Sequence, residues 1–209
     1  MNKEGMSLLY IWDAYCGWCY GFSRSLGEFH AKHPELSLTV LSGGLFAGER
    51  KLPIDSFPHI PEANKRISQL TGAEFGESYQ TLLEEGGILL DSEAAAEGFA
   101  ALRHFAPDRA YHLAASMQHK FYYEGKSLRD PETYREIAVE NRLDPDAVEA
   151  RFESVDSTAD ARADFAKVQQ LDIHSYPTLL LKKGDEVIGL GGGVMTAEKI
   201  EARLEQILS

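Results

Sequence analysis

The sequence predicts an α/β fold in which a βαβ unit at the start and a ββα unit at the end share one central mixed sheet, with a large all-helical insertion between them. Three patterns carry this expectation. The apolar run Leu8-Leu9-Tyr10-Ile11-Trp12 gives way near Cys16 to helical spacing, and then to the alternating stretch Leu36 to Leu41. From about Pro61 to Leu171 apolar residues recur at helical intervals. From Tyr176 to Leu190 the period returns to that of strands. The predicted organisation is therefore residues 1–59 and 172–209 as the sheet domain and 60–171 as an inserted helical domain.

In chain order, a strand is expected from about Ser7 to Ala14, followed by a helix that starts at the cysteines and ends near Lys32, before Pro34. The next strand, Leu36 to Leu41, completes a βαβ unit, so the two strands should pair in parallel. Gly43-Gly44-Leu45-Phe46-Ala47-Gly48 lacks the Lys and Ser/Thr that a phosphate-binding loop needs, and reads as a loop leaving the sheet.

Within the insertion, Ala63, Ile67 and Leu70 mark a helix closed by Gly72, and Ala95, Phe99, Leu102 and Ala106 mark another. Ala110, Leu113, Met117 and Phe121 follow on a helix opened by Pro107 and Asp108. Asp130-Pro131-Glu132 and Asp144-Pro145-Asp146 each combine a capping Asp, a first-turn proline and an acid. Ser157 with Asp160 forms a further capping pattern, leading to Ala161, Phe165 and Val168. No repeat, low-complexity tract or linker interrupts the block, so it should pack onto the sheet. Tyr176 to Leu181 and Glu186 to Leu190 form a hairpin, and a last helix capped by Thr196 presents Ile200, Leu204 and Ile207 inward. The glycines at 191–193 fail the spacing of a dinucleotide turn.

Composition narrows the partners. A net charge of −12 over 209 residues argues against nucleic acid, which requires a concentrated Lys/Arg surface. No run of eighteen or more apolar residues exists and the first residues carry no signal-peptide pattern, so no membrane association and a cytoplasmic location are expected. Nothing in the sequence specifies an oligomeric state. In a reducing compartment a cysteine pair is catalytic more often than structural.

The only two cysteines, Cys16 and Cys19, stand where a helix begins. The first turn of a helix has unpaired N–H groups and partial positive charge, which favour an anion such as a thiolate. Thiols ordinarily titrate near about 8.5, and Cys-x-x-Cys pairs at helix starts fall to roughly 3.5–7.5. Residues three apart share a helical face and can close a disulfide. Cys16, the more N-terminal and more exposed, is the candidate nucleophile, and Cys19 the resolving thiol. The pair needs no cofactor beyond its own disulfide. A zinc site completed by His30 and His33 is disfavoured, because eleven helical residues put those rings roughly 16 Å away. No metal is expected.

Aromatic residues crowd the pair. Trp18, held between the cysteines, and Tyr15 are expected to form an apolar docking surface for polypeptide substrates. Asp13, three residues before Cys16 and expected to face solvent, is a candidate for proton transfer, as is His174, three before Pro177.

A strand running into Cys-x-x-Cys at a helix start, followed after an insertion by ββα with a proline opening the first hairpin strand, resembles the thioredoxin-like proteins. With a helical insertion it resembles the DsbA family, in particular a cytosolic branch of disulfide isomerases with a Cys-Gly-Trp-Cys-Tyr-Gly signature, here Cys16 to Gly21. The resemblance covers the whole chain and implies a protein disulfide oxidoreductase or isomerase acting on polypeptide or small-molecule thiols and disulfides. It also implies a cis Pro177 facing the cysteines, with the backbone of Tyr176 turned to pair with an extended substrate. Many thioredoxin-like proteins carry a buried carboxylate six residues before the first cysteine, where this chain has Tyr10. Two other functions fit the same fold. Kappa-class glutathione-dependent transferases and isomerases have a lone serine in place of Cys16, so the paired cysteines speak against them. A non-catalytic binding protein is the other.

Overall fold

Strand β1, Met6–Trp12, is the axis of the molecule, with β2 (Ser37–Ser42) parallel on one side and β3 (Thr178–Lys183) antiparallel on the other. Strand β4 (Glu186–Gly192) follows β3 antiparallel, giving the order β2-β1-β3-β4. The protein is seen here as a computed structural model that describes residues 5–209; residues 1–4, which begin the segment expected to lack a signal peptide, lie outside the described residues. β1 stops at Trp12 rather than Ala14 because Asp13 begins a tight turn, its carbonyl accepting from the Cys16 N–H at 3.1 Å.

Strand alternation divides β1 between two cores. Leu8, Tyr10 and Trp12 belong to the main core beneath helix α1 (Gly17–Lys32), which buries Cys19, Phe22, Leu26 and Phe29 at helical spacing. Leu9 and Ile11 face the other way, against Leu41, Leu180 and Val168. Val168 comes from α8 (Val155–Gln170), so the insertion covers the far face of the sheet. The last helix, α9 (Ala197–Leu208), is capped by Thr196 and buries Ile200 and Leu204 beside α1.

Between β2 and β3 lie α2 (Ile60–Thr71), α3 (Glu77–Glu85), α4 (Ser92–Phe105), α5 (Ala110–Tyr122), α6 (Pro131–Glu140), α7 (Pro145–Phe152) and α8. Asp130 and Asp144 cap α6 and α7 through their side chains. The cap of α8 is Ser154, not the expected Ser157: Ser154 accepts from the Ser157 N–H, and Ser157 is already inside the helix. Leu70 does not face inward either; α2 buries Asn64 and Ile67 instead. One continuous apolar core runs from Leu8 and Phe22 to Phe99, Phe121 and Tyr134 of the insertion.

An ion pair with a buried carboxylate fastens the insertion to the sheet. Arg103 of α4 grips Asp164 of α8 with two N–H bonds of 2.9 and 3.1 Å and donates a third, at 2.6 Å, to the Val40 carbonyl of β2. Asp164 also accepts from the Ser42 N–H at 3.1 Å.

Candidate active site

Cys16 is the residue immediately before α1, and it does the work usually done by Ser or Asp at that position. Its backbone is extended and its sulfur accepts from the Cys19 N–H at 3.2 Å. An N–H aimed at the sulfur from a helix's first turn stabilises negative charge on that atom. The helix can start so close to the insertion because residues 17 and 21 are glycine. A Cβ on Gly17 would lie 2.9 Å from Ile67 Cδ1, and one on Gly21 would lie 2.7 Å from Ile67 Cγ2. Glycines one turn apart thus let α2 lie directly on α1 beside the cysteines.

The two thiols are free and differ in setting. Cys19 is fully enclosed, and its thiol is pushed well above the usual range, first by burial and then by its hydrogen bond with Cys16. Cys16 keeps 5% of its surface, more than Cys19 but far less than expected for an exposed nucleophile. The cause is packing from outside the local sequence: the loop after β2 and helices α2 and α5 close around it. What Cys16 borders instead is a cavity of about 120 Å³.

The loop leading into β3 completes the site. The Tyr176–Pro177 bond is cis, Pro177 is buried, and the Cys16 thiol donates to the Tyr176 carbonyl at 3.6 Å, across 160 positions of sequence. The Tyr176 ring is pinned against Gly43, whose carbonyl accepts its hydroxyl at 2.6 Å.

The remaining candidates fall differently from expectation. Tyr15 is no surface residue: it is 4% exposed, packed edge-on to Phe121 with centroids 4.8 Å apart, and forms a wall of the cavity. Trp18 is half-buried and borders the same cavity. Asp13 is buried rather than solvent-facing, because the Leu45 N–H reaches one carboxylate oxygen at 2.8 Å while the Tyr15 N–H reaches the other at 2.9 Å. Burial raises its carboxyl above the ordinary value, and the two amide bonds oppose that rise. His174 is exposed and bonds Asp172 at 2.8 Å, so its partner is a neighbour in its own loop and not Cys16. Tyr10 is buried, its hydroxyl lying against the Cys19 thiol without a well-formed hydrogen bond. Among the described residues no group of three His, Cys, Asp or Glu side chains is placed to hold a metal ion. Sequence reasoning did not identify the second wall of the site, Asn64 and Ile67 of α2, although Gly17 and Gly21 at helical spacing signal a close neighbour.

A family model described as a DSBA-like thioredoxin domain matches residues 9–205. The chain belongs to that family. Its mixed four-stranded sheet and helical insertion are those of a DSBA-like thioredoxin fold. No curated protein matches its sequence. Among solved structures, a candidate protein disulfide isomerase from Nitrosomonas europaea is similar with a TM-score of 0.84 and 21% identity, covering 98% of each chain. The cytosolic disulfide reductase DsbM from Pseudomonas aeruginosa gives a TM-score of 0.82 at 25% identity, over 97% of this chain and 98% of that one. The same Pseudomonas protein with GSH gives 0.78 at 24%, with the same coverage. Among the described residues no helix is long and apolar enough to cross a membrane.

Proposed function

We propose that this protein is a thiol:disulfide oxidoreductase or isomerase in which Cys16 attacks and Cys19 resolves, with the Cys16–Cys19 disulfide as its only redox group. The observation that carries the proposal is the asymmetry of the pair. Cys16 caps the helix, accepts an N–H and retains access to a cavity, whereas Cys19 is enclosed and held as a thiol. In the exchange, the Cys16 thiolate attacks one sulfur of a disulfide, the partner thiolate leaves, and a mixed disulfide forms. Cys19 then gives up its proton and attacks the Cys16 sulfur, releasing the second thiol and leaving the protein oxidised by two electrons.

Substrates are polypeptide or small-molecule thiols and disulfides, bound against Trp18 and Tyr15 and beside the backbone of Tyr176 and Pro177. The compartment proposed is the cytosol, a reading supported by the likeness to the cytosolic reductase DsbM. Asp13 is the better placed of the two proton-transfer candidates, since it is buried in the loop that leads to Cys16 and His174 is not held near the pair. A transferase of the glutathione-dependent type is less well supported, because such chemistry has no use for a resolving thiol.

The test is trapping. With a peptide disulfide, Cys19→Ser should accumulate a mixed disulfide at Cys16 visible by mass spectrometry, and Cys16→Ser should accumulate none. Insulin reduction by the wild type should be lost in both. Equal adducts in the two variants would refute the assigned order of attack.

A further inference from the structure

The cavity beside Cys16 has a chemical character that the exchange reading leaves unspecified. Its walls are Tyr15, Phe46, Ile54 and Leu90 on the side of the sheet and Ala63 and Ile67 on α2. The one buried amide that reaches it, Asn64, donates a side-chain N–H to the Tyr79 hydroxyl at 3.0 Å. The lining is predominantly apolar, with the exposed His59 among its residues, and a mostly apolar pocket holds water poorly and takes an apolar guest. Its size, about 120 Å³, suits a single ring or a branched aliphatic group. An engineered cavity of about 150 Å³ accepts benzene.

Access to the sulfur argues in the same direction. Only 5% of Cys16 reaches solvent, and the neighbouring Tyr176 carbonyl accepts from the Cys16 thiol itself. A disulfide held in a broad protein surface would have to displace these walls. A slender disulfide that brings its own apolar group would enter the space that already exists.

Resting on the exchange reading, we infer that the preferred substrate of Cys16 is a low-molecular-weight disulfide bearing an apolar group of about the size of a phenyl ring, which occupies the cavity between α1 and α2 while its sulfur meets Cys16. The group attached to the sulfur under attack lies in the cavity, and the leaving thiolate departs toward solvent. Cys19 then releases the bound thiol, so the reduced protein supplies both electrons and no other reductant enters a single turnover.

The experiment is a single turnover of the reduced protein with two symmetric disulfides, bis(2-phenylethyl) and bis(2-hydroxyethyl) disulfide. Each rate is divided by the rate of the same disulfide with dithiothreitol, which removes intrinsic reactivity. The expected normalised rate ratio favours the phenylethyl compound by about tenfold or more, the discrimination typical of filling an apolar pocket. Ala63→Phe, which occupies the cavity from the half-buried face of α2, should bring that ratio to near one. A wild-type ratio near one would overturn the inference while leaving the exchange reading intact, and it decides the matter even if the variant does not fold. A phenylethyl preference that survives intact in folded Ala63→Phe would equally overturn the assigned location. If neither disulfide oxidises the protein, the exchange reading itself fails, and this inference with it.

Discussion

Replacing Arg103 by Met removes the cation that holds α4 and α8 to β2, and the structure sets the size of the effect. The carboxylate of Asp164, whose side chain is only 8% exposed, would keep one donor, the Ser42 N–H, and lose two from Arg103. The Val40 carbonyl would lose its 2.6 Å partner, and the guanidinium would leave the Phe99 ring, 4.9 Å away. Breaking a buried pair from one side costs about 3–5 kcal/mol, a large share of a typical total of about 5–15 kcal/mol. For a chain of this length that corresponds to a fall in Tm of about 6–20 °C. The loss must also depend on pH. Burial raises the Asp164 carboxyl above its ordinary value of 3.8, and Arg103 opposes the rise. Without Arg103 the folded carboxyl titrates higher still, so the folded chain binds more protons than the unfolded one over a wider range, and stability falls as pH rises through that range. Near pH 4 the group is largely protonated in the variant and the deficit shrinks. Urea denaturation at pH 7 and at pH 4 reads both quantities. A deficit under about 1 kcal/mol at pH 7, the range of exposed pairs, or one that is the same at both pH values, would refute the account.

Three further outcomes follow from particular contacts. Gly98→Ala places a methyl group inside the Tyr134 ring, which is fully buried and tied by its hydroxyl to the Leu128 carbonyl at 2.7 Å. Thermal denaturation should show a net loss of about 1–2 kcal/mol, since overpacking outweighs the roughly 1 kcal/mol that alanine gains in a helix. Tyr10→Phe removes a buried hydroxyl with no hydrogen-bond partner, so stability in urea should be unchanged or up to about 1 kcal/mol higher. A clear loss would mean that the hydroxyl is bonded to Cys19 after all. Asp13→Asn should flatten the pH dependence of stability just above 3.8, because the raised Asp13 carboxyl makes the folded form bind more protons there and lowers stability as pH rises through that window. An unchanged slope between wild type and Asp13→Asn, from parallel urea titrations, would count against a raised carboxyl at this position.

Much of the architecture was legible because it is written locally. The strand into Cys16, the parallel partner after Pro34 and the caps at Asp130, Asp144 and Thr196 depend on residues within a few positions of one another. Helix α3 escaped notice because it is nine residues long, buries only Tyr79 and Leu82, and is bounded by Gly76 and Gly86, which read as loop. At the site, spacing alone pointed to the two cysteines and the family resemblance pointed to Pro177, whose neighbour Tyr176 lies against Cys16. Their surroundings could not be found that way. Asp13 is buried by an amide from Leu45, Tyr15 is enclosed by Phe46 and Phe121, and Arg103 meets Asp164 61 positions later. Each depends on contacts that only the folded chain creates, and these contacts make Tyr15 a wall of the pocket beside Cys16.

The bond from the Cys16 thiol to the Tyr176 carbonyl exists only while the sulfur carries its hydrogen. Once the sulfur is ionised, two electron-rich atoms face each other and the attraction turns to repulsion. The carbonyl is then left vacant to receive an amide from an arriving molecule. In the proposed exchange, arming Cys16 and opening a berth for its target are in this way one event, sensed by a loop that the ribosome makes 160 residues after the cysteine.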